Sequence, residues 1–259
     1  MAKISVCVIS FNEEAKIGDC LRSVQPIADE IVVVDSCSQD RTRAIAAGFT
    51  DRVIEQPFLG YINQKNFAVD QARHDWILSL DCDERLSDEL CSAIASRKDT
   101  LDSANAYRMS RKTYYLYRWL EHCWHPDRKV RLFHRAHGRW GGVDPHDCVQ
   151  TDASRIVDLP GELRHYSYDS ISDHVQKLDR FSEIAANEAF ANGRRATSFD
   201  PFAHGASAFM RQYVWKRGFL DGFAGLTASL FSGFYTYVKY AKLVMMARAE
   251  GAAQVPPER

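Results

Sequence analysis

Apolar runs at residues 4–9, 31–34 and 76–80 are separated by stretches of helical periodicity, and this alternation leaves few folds open. Each run is near-continuous rather than alternating, as in a strand buried on both faces. A weaker strand is expected at 53–55. Between the strands fall a helix through Ile17, Leu21 and Val24 closed by Pro26, a short helix reaching Gly48, and a helix over 61–72. Crossovers of this length join parallel strands, so the expected fold class is α/β with a doubly wound, mostly parallel sheet.

The three strong strands each end in a polar, acid-bearing cluster: Asn12-Glu13-Glu14, the segment from Asp35 to Asp40, and Asp81-Cys82-Asp83-Glu84. Ligands of open α/β sheets sit at these carboxyl ends. Asp81 and Asp83 are two apart, so on an extended backbone they would point the same way. Two hard oxygen donors there suit Mg2+ or Mn2+, leaving positions for substrate phosphates. The rival reading is an acidic turn that caps the helix starting near Ser87, just as Asn12 or Asp40 could cap the helix that follows each of them. Asp35 could accept hydrogen bonds from a base or ribose. The G-x-G-x-x-G turn is missing, which argues against NAD or FAD, and G-x-x-x-x-G-K-[ST] is missing, which excludes a P-loop. Phosphates would then be held by metal and basic side chains.

These clusters carry a resemblance. Ser10-Phe11-Asn12-Glu13-Glu14, Val34-Asp35-Ser36-Cys37-Ser38-Gln39-Asp40-Arg41-Thr42, Gln64-Lys65-Asn66-Phe67-Ala68 and Leu80-Asp81-Cys82-Asp83-Glu84 resemble family 2 glycosyltransferases of the GT-A fold. Lys129-Val130-Arg131-Leu132-Phe133-His134-Arg135 and His165-Tyr166-Ser167-Tyr168 continue it, nearest to the bacterial lipopolysaccharide-core β-1,4-glucosyltransferase branch. The likeness is most specific up to about residue 90, weaker to about 185 and faint beyond. It implies an inverting, metal-dependent enzyme that uses a nucleotide-diphosphate sugar, commonly UDP-glucose. It places Asn12, Glu14 and Asp35 around base and ribose, Lys65 near the nucleotide, and Asp83 with Asp81 on Mg2+ or Mn2+ and the diphosphate. His165 could reach the metal or diphosphate, or make a core hydrogen bond.

Inverting transfer needs a carboxylate to take the acceptor's hydroxyl proton. The resembled branch has an acid after His in the stretch 138–147, usually Glu. Here it is Asp147 after His146, with Asp144-Pro145 a departure, so Asp147 is the expected base, Asp144 its rival and Glu84 a third candidate. From 108 to 139 nine Arg and Lys residues, Arg131 among them, face only Glu121 and Asp127, interleaved with aromatics. This favours an anionic glycolipid or glycan acceptor over nucleic acid, against the alternative of salt bridges to acids elsewhere. His122-Cys123 and His125 invite a zinc reading, but their spacing matches no standard pattern.

Residues 156–159 and 162–166 flank Pro160-Gly161, a hairpin or turn signal. A helix is expected over 172–191, ended by Asn192-Gly193, then one or two amphipathic helices between 199 and 246. Residues 223–238 carry no charge but fall short of the roughly 18–20 apolar residues of a spanning helix. Flanked by Arg and Lys, they fit a helix lying in a membrane interface, or a face packed on the rest of the protein or on a second subunit. The domain expectation is therefore a GT-A domain over 1–168, a C-terminal helical appendage over 169–250 and a disordered tail over 251–259.

With 33 Lys and Arg against 34 Asp and Glu, net charge is −1, so global charge implies no nucleic-acid partner. Seven cysteines without CxxC pairs point to reduced thiols. The chain opens directly on a strand pattern, so the expected location is cytoplasmic, at the inner face of the cytoplasmic membrane. The expected function is hexose transfer, most simply from UDP-glucose, to a lipid-linked glycan such as lipopolysaccharide core. The alternatives are transfer to another cell-envelope polysaccharide, or a degenerate nucleotide-sugar-binding protein that has lost its base.

Overall fold

The computed structural model describes residues 2–143 and 146–253. It forms two compact units: one holds the chain up to Thr113 together with Pro126–Ser167, the other Tyr114–His125 and the chain from Tyr168 on.

In the first unit the expected alternation is present: β1 (Ile4–Ser10), α1 (Ile17–Val24), β2 (Glu30–Asp35), α2 (Thr42–Ala46), β3 (Val53–Glu55), α3 (Tyr61–Gln71) and β4 (Trp76–Asp81). There follow β5 (Glu84–Leu86), α4 (Asp88–Ala95), β6 (Asn105–Tyr115), whose last two residues and the short β7 (Arg118–Trp119) belong to the second unit, then β8 (Asp127–His134), β9 (Gly138–Val143), β10 (His146–Thr151) and β11 (Arg155–His165). The main sheet runs β3-β2-β1-β4-β8-β6-β11-β5. From β3 to β4 all pairs are parallel; β8 is antiparallel to both its neighbours, and β6 pairs parallel with β11.

The continuous apolar runs have a direct explanation. Val6, Val8, Val33, Leu78 and Leu80 turn to one side, into a core with Ile17, Leu21, Leu90 and Ile94. Cys7, Val32, Val34 and Ile77 turn to the other, against Ala68, Val69 and Trp140. With helices over both faces, no strand position between Ile4 and Val8 or between Ile77 and Leu80 meets water.

Pro160-Gly161 does not make a hairpin. Both flanking segments belong to β11, which pairs with β6 before and after an irregularity between Asp158 and Glu162. Gly161 has φ +88°, and a Cβ there would lie 2.4 Å from the Leu90 amide nitrogen, so the kink lets α4 approach the strand. A turn dipeptide and a bulge use the same residues, which is why the pattern misled. Residues 138–151, expected only as a loop carrying the base, contain the antiparallel ribbon β9–β10. Asp144 lies outside the described residues.

The second unit is built on α5 (Ile171–Ala191), α6 (Asp200–Met210) and α7 (Gly222–Ala253), with a π-helical turn (Arg211–Trp215) and a 3-10 turn (Gly218–Asp221) between the last two. Helices α6 and α7 cross at Gly205 and Gly233, where a Cβ on either would sit 3.0–3.1 Å from the other's carbonyl oxygen. Asp221 is fully buried and accepts the backbone N–H groups of Glu121, His122 and Cys123 at 2.8–3.0 Å. His122 and Cys123, read in sequence as candidate zinc ligands, are thus parts of a carboxylate clasp. Within the uncharged stretch 223–238 Ala224, Ala228 and Ser229 are buried, while Phe223, Leu230 and Phe234 are exposed. Among the described residues no helix is long and apolar enough to cross a membrane. The tail expected over 251–259 lies, beyond Ala253, outside the described residues.

His174 lies buried in this unit, its Nδ1 2.8 Å from the Tyr115 hydroxyl and its ring stacked on Phe231. Burial, ahead of any charge, pushes it down from 6.5 to about 4. The unfolded chain therefore binds this proton more readily, so the contribution is fully present above pH 6.5 and lost as pH falls to about 4. The expected cost is up to roughly 3 kcal/mol. Thermal melts between pH 7 and 4.5 check this: His174→Gln should flatten the dependence, and an equally steep profile in the variant would discount it.

Candidate active site

The first strand-end loops are stitched to each other. Asp35, at the end of β2, is fully buried and accepts hydrogen bonds from the Ser10 hydroxyl at 2.8 Å, the Ser38 hydroxyl at 2.6 Å and the Ser38 amide at 2.7 Å. The Ser38 hydroxyl in turn accepts from the Asn12 amide at 2.8 Å, and Asn12 Oδ1 accepts from the Gln39 amide at 2.8 Å. Glu14 accepts from the Arg41 amide at 3.0 Å. Asn12, with φ +51°, and Glu14 are exposed at the rim, whereas Asp35 sits beneath them with both oxygens occupied. The carboxylate expected to meet the ribose is thus first a brace for the loop that carries Asn12.

Helix α3 brings three consecutive polar side chains inward, and each has a task. Gln64 donates to Ser36 Oγ and to the Gln56 carbonyl, both at 3.1 Å, fixing the segment after β2. Asn66 exchanges two hydrogen bonds with the backbone of Trp140, at 2.9 and 3.0 Å, and so anchors β9. Lys65, 4% exposed, lies between them and bridges two acids far apart in sequence. Its Nζ is 2.9 Å from Asp81 Oδ1 and 2.7 Å from Asp147 Oδ2, and it rests 4.2 Å from the centre of the Trp140 ring. Asp147 stands opposite Gly142 in the β9–β10 register, so the Asn66 clamp on β9 positions the ribbon that carries it.

At the end of β4 the acids differ sharply in surroundings. Glu84 is fully buried, 2.7 Å from Arg131 and 3.2 Å from Arg111. Burial alone would raise its carboxyl, but Arg131 and then Arg111 hold it at about 2, so it cannot serve as a base near neutrality. Asp81 is met by Lys65 and, at 3.3 Å, by Arg131; despite burial these cations keep it below the usual carboxylate range. Asp83 lies in a turn after β4 rather than on extended backbone, so the alternation argument for a shared direction with Asp81 does not apply. The two still feel each other, because the charge on Asp81 works against ionisation of Asp83. Against burial, His165, 3.5 Å from Asp83 Oδ2, is what holds Asp83 down. Its other oxygen, Oδ1, is buried with no hydrogen-bond partner. Helix capping does not explain these acids, because the cap of α4 is Ser87, whose hydroxyl accepts from the Leu90 amide at 3.2 Å.

That orphaned oxygen is the test of fit for a divalent cation. A buried carboxylate oxygen without a donor is costly unless something positive meets it. Among the described residues no three His, Cys, Asp or Glu side chains form a closed ligand set. Mg2+ and Mn2+ need none, since such ions take one or two carboxylates and complete their shell with water and phosphate oxygens. Asp83, with Asp81 beside it, fits.

The sequence expectation for the basic segment needs correction. Arg108 is bidentate to Asp158, Arg111 and Lys129 pair with Asp127, Lys112 with Glu162, and Arg139 with Asp70. Sheet pairing brings these acids, distant in sequence, alongside the bases, so the cluster is largely a set of internal ion pairs. It gives no separate support to an anionic acceptor. The part played by Arg131 was unforeseen. Its one signal was a charge within Val130-Arg131-Leu132-Phe133, an otherwise apolar strand where a charge must find a buried partner.

Residues 5–158 match the family model described as Glycosyl transferase family 2. An uncharacterized glycosyltransferase of Rickettsia typhi is 32% identical over 94% of this chain and 87% of its own length. The lipopolysaccharide core biosynthesis glycosyltransferase LpsC of Rhizobium meliloti is 26% identical over 93% of this chain and 91% of its own. Among solved structures, glucosyl-3-phosphoglycerate synthase from Mycobacterium tuberculosis in complex with Mg2+ and UDP is 23% identical, with a TM-score of 0.35 over 44% of each chain.

Proposed function

The chain belongs to glycosyltransferase family 2, and from that premise we propose that it moves a hexose, glucose from UDP-glucose, to a lipid-linked glycan of the lipopolysaccharide-core type with inversion at the anomeric carbon. The observation that carries this reading is the Lys65 bridge between Asp81 and Asp147, beside the unpartnered oxygen of Asp83. On this reading Asp147 would be the proton-accepting carboxylate, one ammonium group away from the acids expected at the diphosphate. The acceptor class rests on the similarity to LpsC, and the place of action would be the inner face of the cytoplasmic membrane.

Asn12 and Glu14 would border the base and ribose, on the loop that Asp35 braces. A divalent ion held by Asp83 and Asp81 would neutralise the departing diphosphate. Lys65, released from one of its acids, would add a second positive charge to that group. Asp147 would take the acceptor hydroxyl's proton as that oxygen bonds to the anomeric carbon. The carbon–oxygen bond to the diphosphate then breaks, and its electron pair leaves with UDP. Trp140, under Lys65 and 5.0 Å from Arg131, sets an apolar ring beside these charges, which strengthens their interactions.

Asp147→Asn should lower transfer by about 10²–10⁴-fold while leaving the thermal shift produced by UDP and Mn2+ unchanged. Transfer at the wild-type rate in this variant would move the base to another residue, Asp144 being the next to replace. Wild-type protein that binds UDP yet neither hydrolyses nor transfers the sugar would instead be a binding protein.

A further inference from the structure

From residue 199 to 223 the helical unit turns large apolar side chains outward. Phe202, Ala206, Met210 and Val214 follow one another at four-residue steps along α6 and the π-helical turn, all exposed. Beyond them, Trp215 is 70% exposed and Phe223 66%, with Phe219 and Leu220 about half exposed between them. Soluble surfaces carry single apolar residues everywhere, but a contiguous run of aromatics on one edge marks a binding face.

Charge says what it binds. Between 205 and 223 the charged residues are Arg211, Lys216, Arg217 and Asp221. Asp221 is withdrawn entirely into its clasp on the amides of 121–123, so the segment shows the solvent positive charge alone. Arg118 adds another cation, its guanidinium 3.7 Å from where a Cβ of Gly222 would lie, while Glu121 is the exposed acid nearby. The edge is also shaped by its backbone: a π-helical turn, then Arg217 with φ +57°, then Gly222 with φ +61°. Together these turn Trp215 to Phe223 into a short reversal between α6 and α7.

We propose that this edge, centred on Trp215, Phe219, Leu220 and Phe223 and ringed by Arg211, Lys216 and Arg217, docks the protein onto the surface of a bilayer rich in anionic lipid. Aromatic and aliphatic side chains enter the headgroup boundary and the cations meet lipid phosphates. Among the described residues no helix is long and apolar enough to cross a membrane. The sequence pointed to 223–238 as the interfacial element; there Ala224, Thr227, Ala228 and Ser229 are buried within the unit, while Phe223, Leu230 and Phe234 are exposed. The reversal before it carries the denser run of exposed apolar side chains, Trp215, Phe219 and Leu220. This deepens the lipid-linked acceptor reading and rests on it for the purpose of docking, yet the test needs neither donor nor acceptor.

The test is co-sedimentation of the full chain with phosphatidylglycerol/phosphatidylcholine vesicles, and with vesicles of phosphatidylcholine alone, free of glycolipid. Binding to the anionic vesicles should exceed binding to the neutral ones by about tenfold or more. Trp215→Ser with Phe219→Ser and Phe223→Ser should reduce vesicle binding by about tenfold or more. Arg211→Glu with Arg217→Glu should abolish the preference for anionic lipid. All these residues are exposed, so both variants should keep the wild-type melt and UDP-induced shift. Wild-type protein left in the supernatant with anionic vesicles overturns the proposal, as does a dimer that falls apart on the triple replacement without any lipid binding. If vesicle binding holds while the UDP shift is missing, the donor reading fails and the docking stands. The converse result removes only the docking.

Discussion

Replacing Asp83 by Asn is expected to lower glycosyl transfer by about 10³-fold or more, with the fold of the apo protein left intact. The two halves of this expectation come from the same side chain. Asp83 has one oxygen buried without a donor and the other 3.5 Å from His165, and the charge of Asp81 opposes its ionisation. A buried oxygen in that condition is costly unless something positive meets it, which on the proposed reading would be the metal ion. His165 already accommodates this charge in the apo protein, so the amide should keep the fold, while it would deprive an incoming cation of its ligand. The measurement is a thermal-shift panel of UDP and UDP-sugars with and without Mn2+, followed by rates on the same samples. The wild type should be stabilised by UDP with metal and lose that gain with EDTA. A variant that keeps the metal-dependent shift and full activity would take Asp83 out of the metal site.

Arg131→Met should have the largest effect on stability. Arg131 and Glu84 are 4% and 0% exposed and 2.7 Å apart, and removing one partner of such a buried pair costs about 3–5 kcal/mol because the other charge is stranded. For a unit of this size the melt should fall on the order of 10 °C. Adding Glu84→Gln should recover part of it, since the stranded charge is then gone. Acid behaviour gives an independent reading. Glu84 sits at about 2 against an ordinary 4.5, so in the wild type its contribution is present above pH 4.5 and lost as pH falls through 2. Without Arg131 the loss should begin at higher pH. A single variant melting within about 2 °C of wild type, with the same acid profile, would mean that Arg111 alone suffices to hold Glu84.

How much of this was readable beforehand follows the range of the interactions. Strand positions, their order and the acid clusters at their ends lie within windows of ten residues, and the predicted elements from β1 to β4 match the structure closely. The motif Gln64-Lys65-Asn66 stands out in the sequence, but its three tasks do not. Lys65 finds Asp147 across 82 positions, and Asn66 finds Trp140 across 74, distances that no periodicity encodes. The basic segment misled for the same reason. Its excess charge is real in sequence and largely cancelled in space by Asp70, Asp127, Asp158 and Glu162, once the strands and helices come together.

By itself the amino-acid order determined that hydrophobic runs of this length and spacing must pair as parallel strands with helices on both faces, because no other arrangement covers them. It also put carboxylates where those strands stop. Which acids became structural and which stayed available was decided only by tertiary structure. Glu84 and Asp83 are neighbours in the chain, yet one is locked between two guanidinium groups and the other keeps an unsatisfied oxygen. That difference arises from what β6, β8 and β11 bring alongside, because the energy of a buried charge depends on its few nearest partners rather than on its place in the sequence.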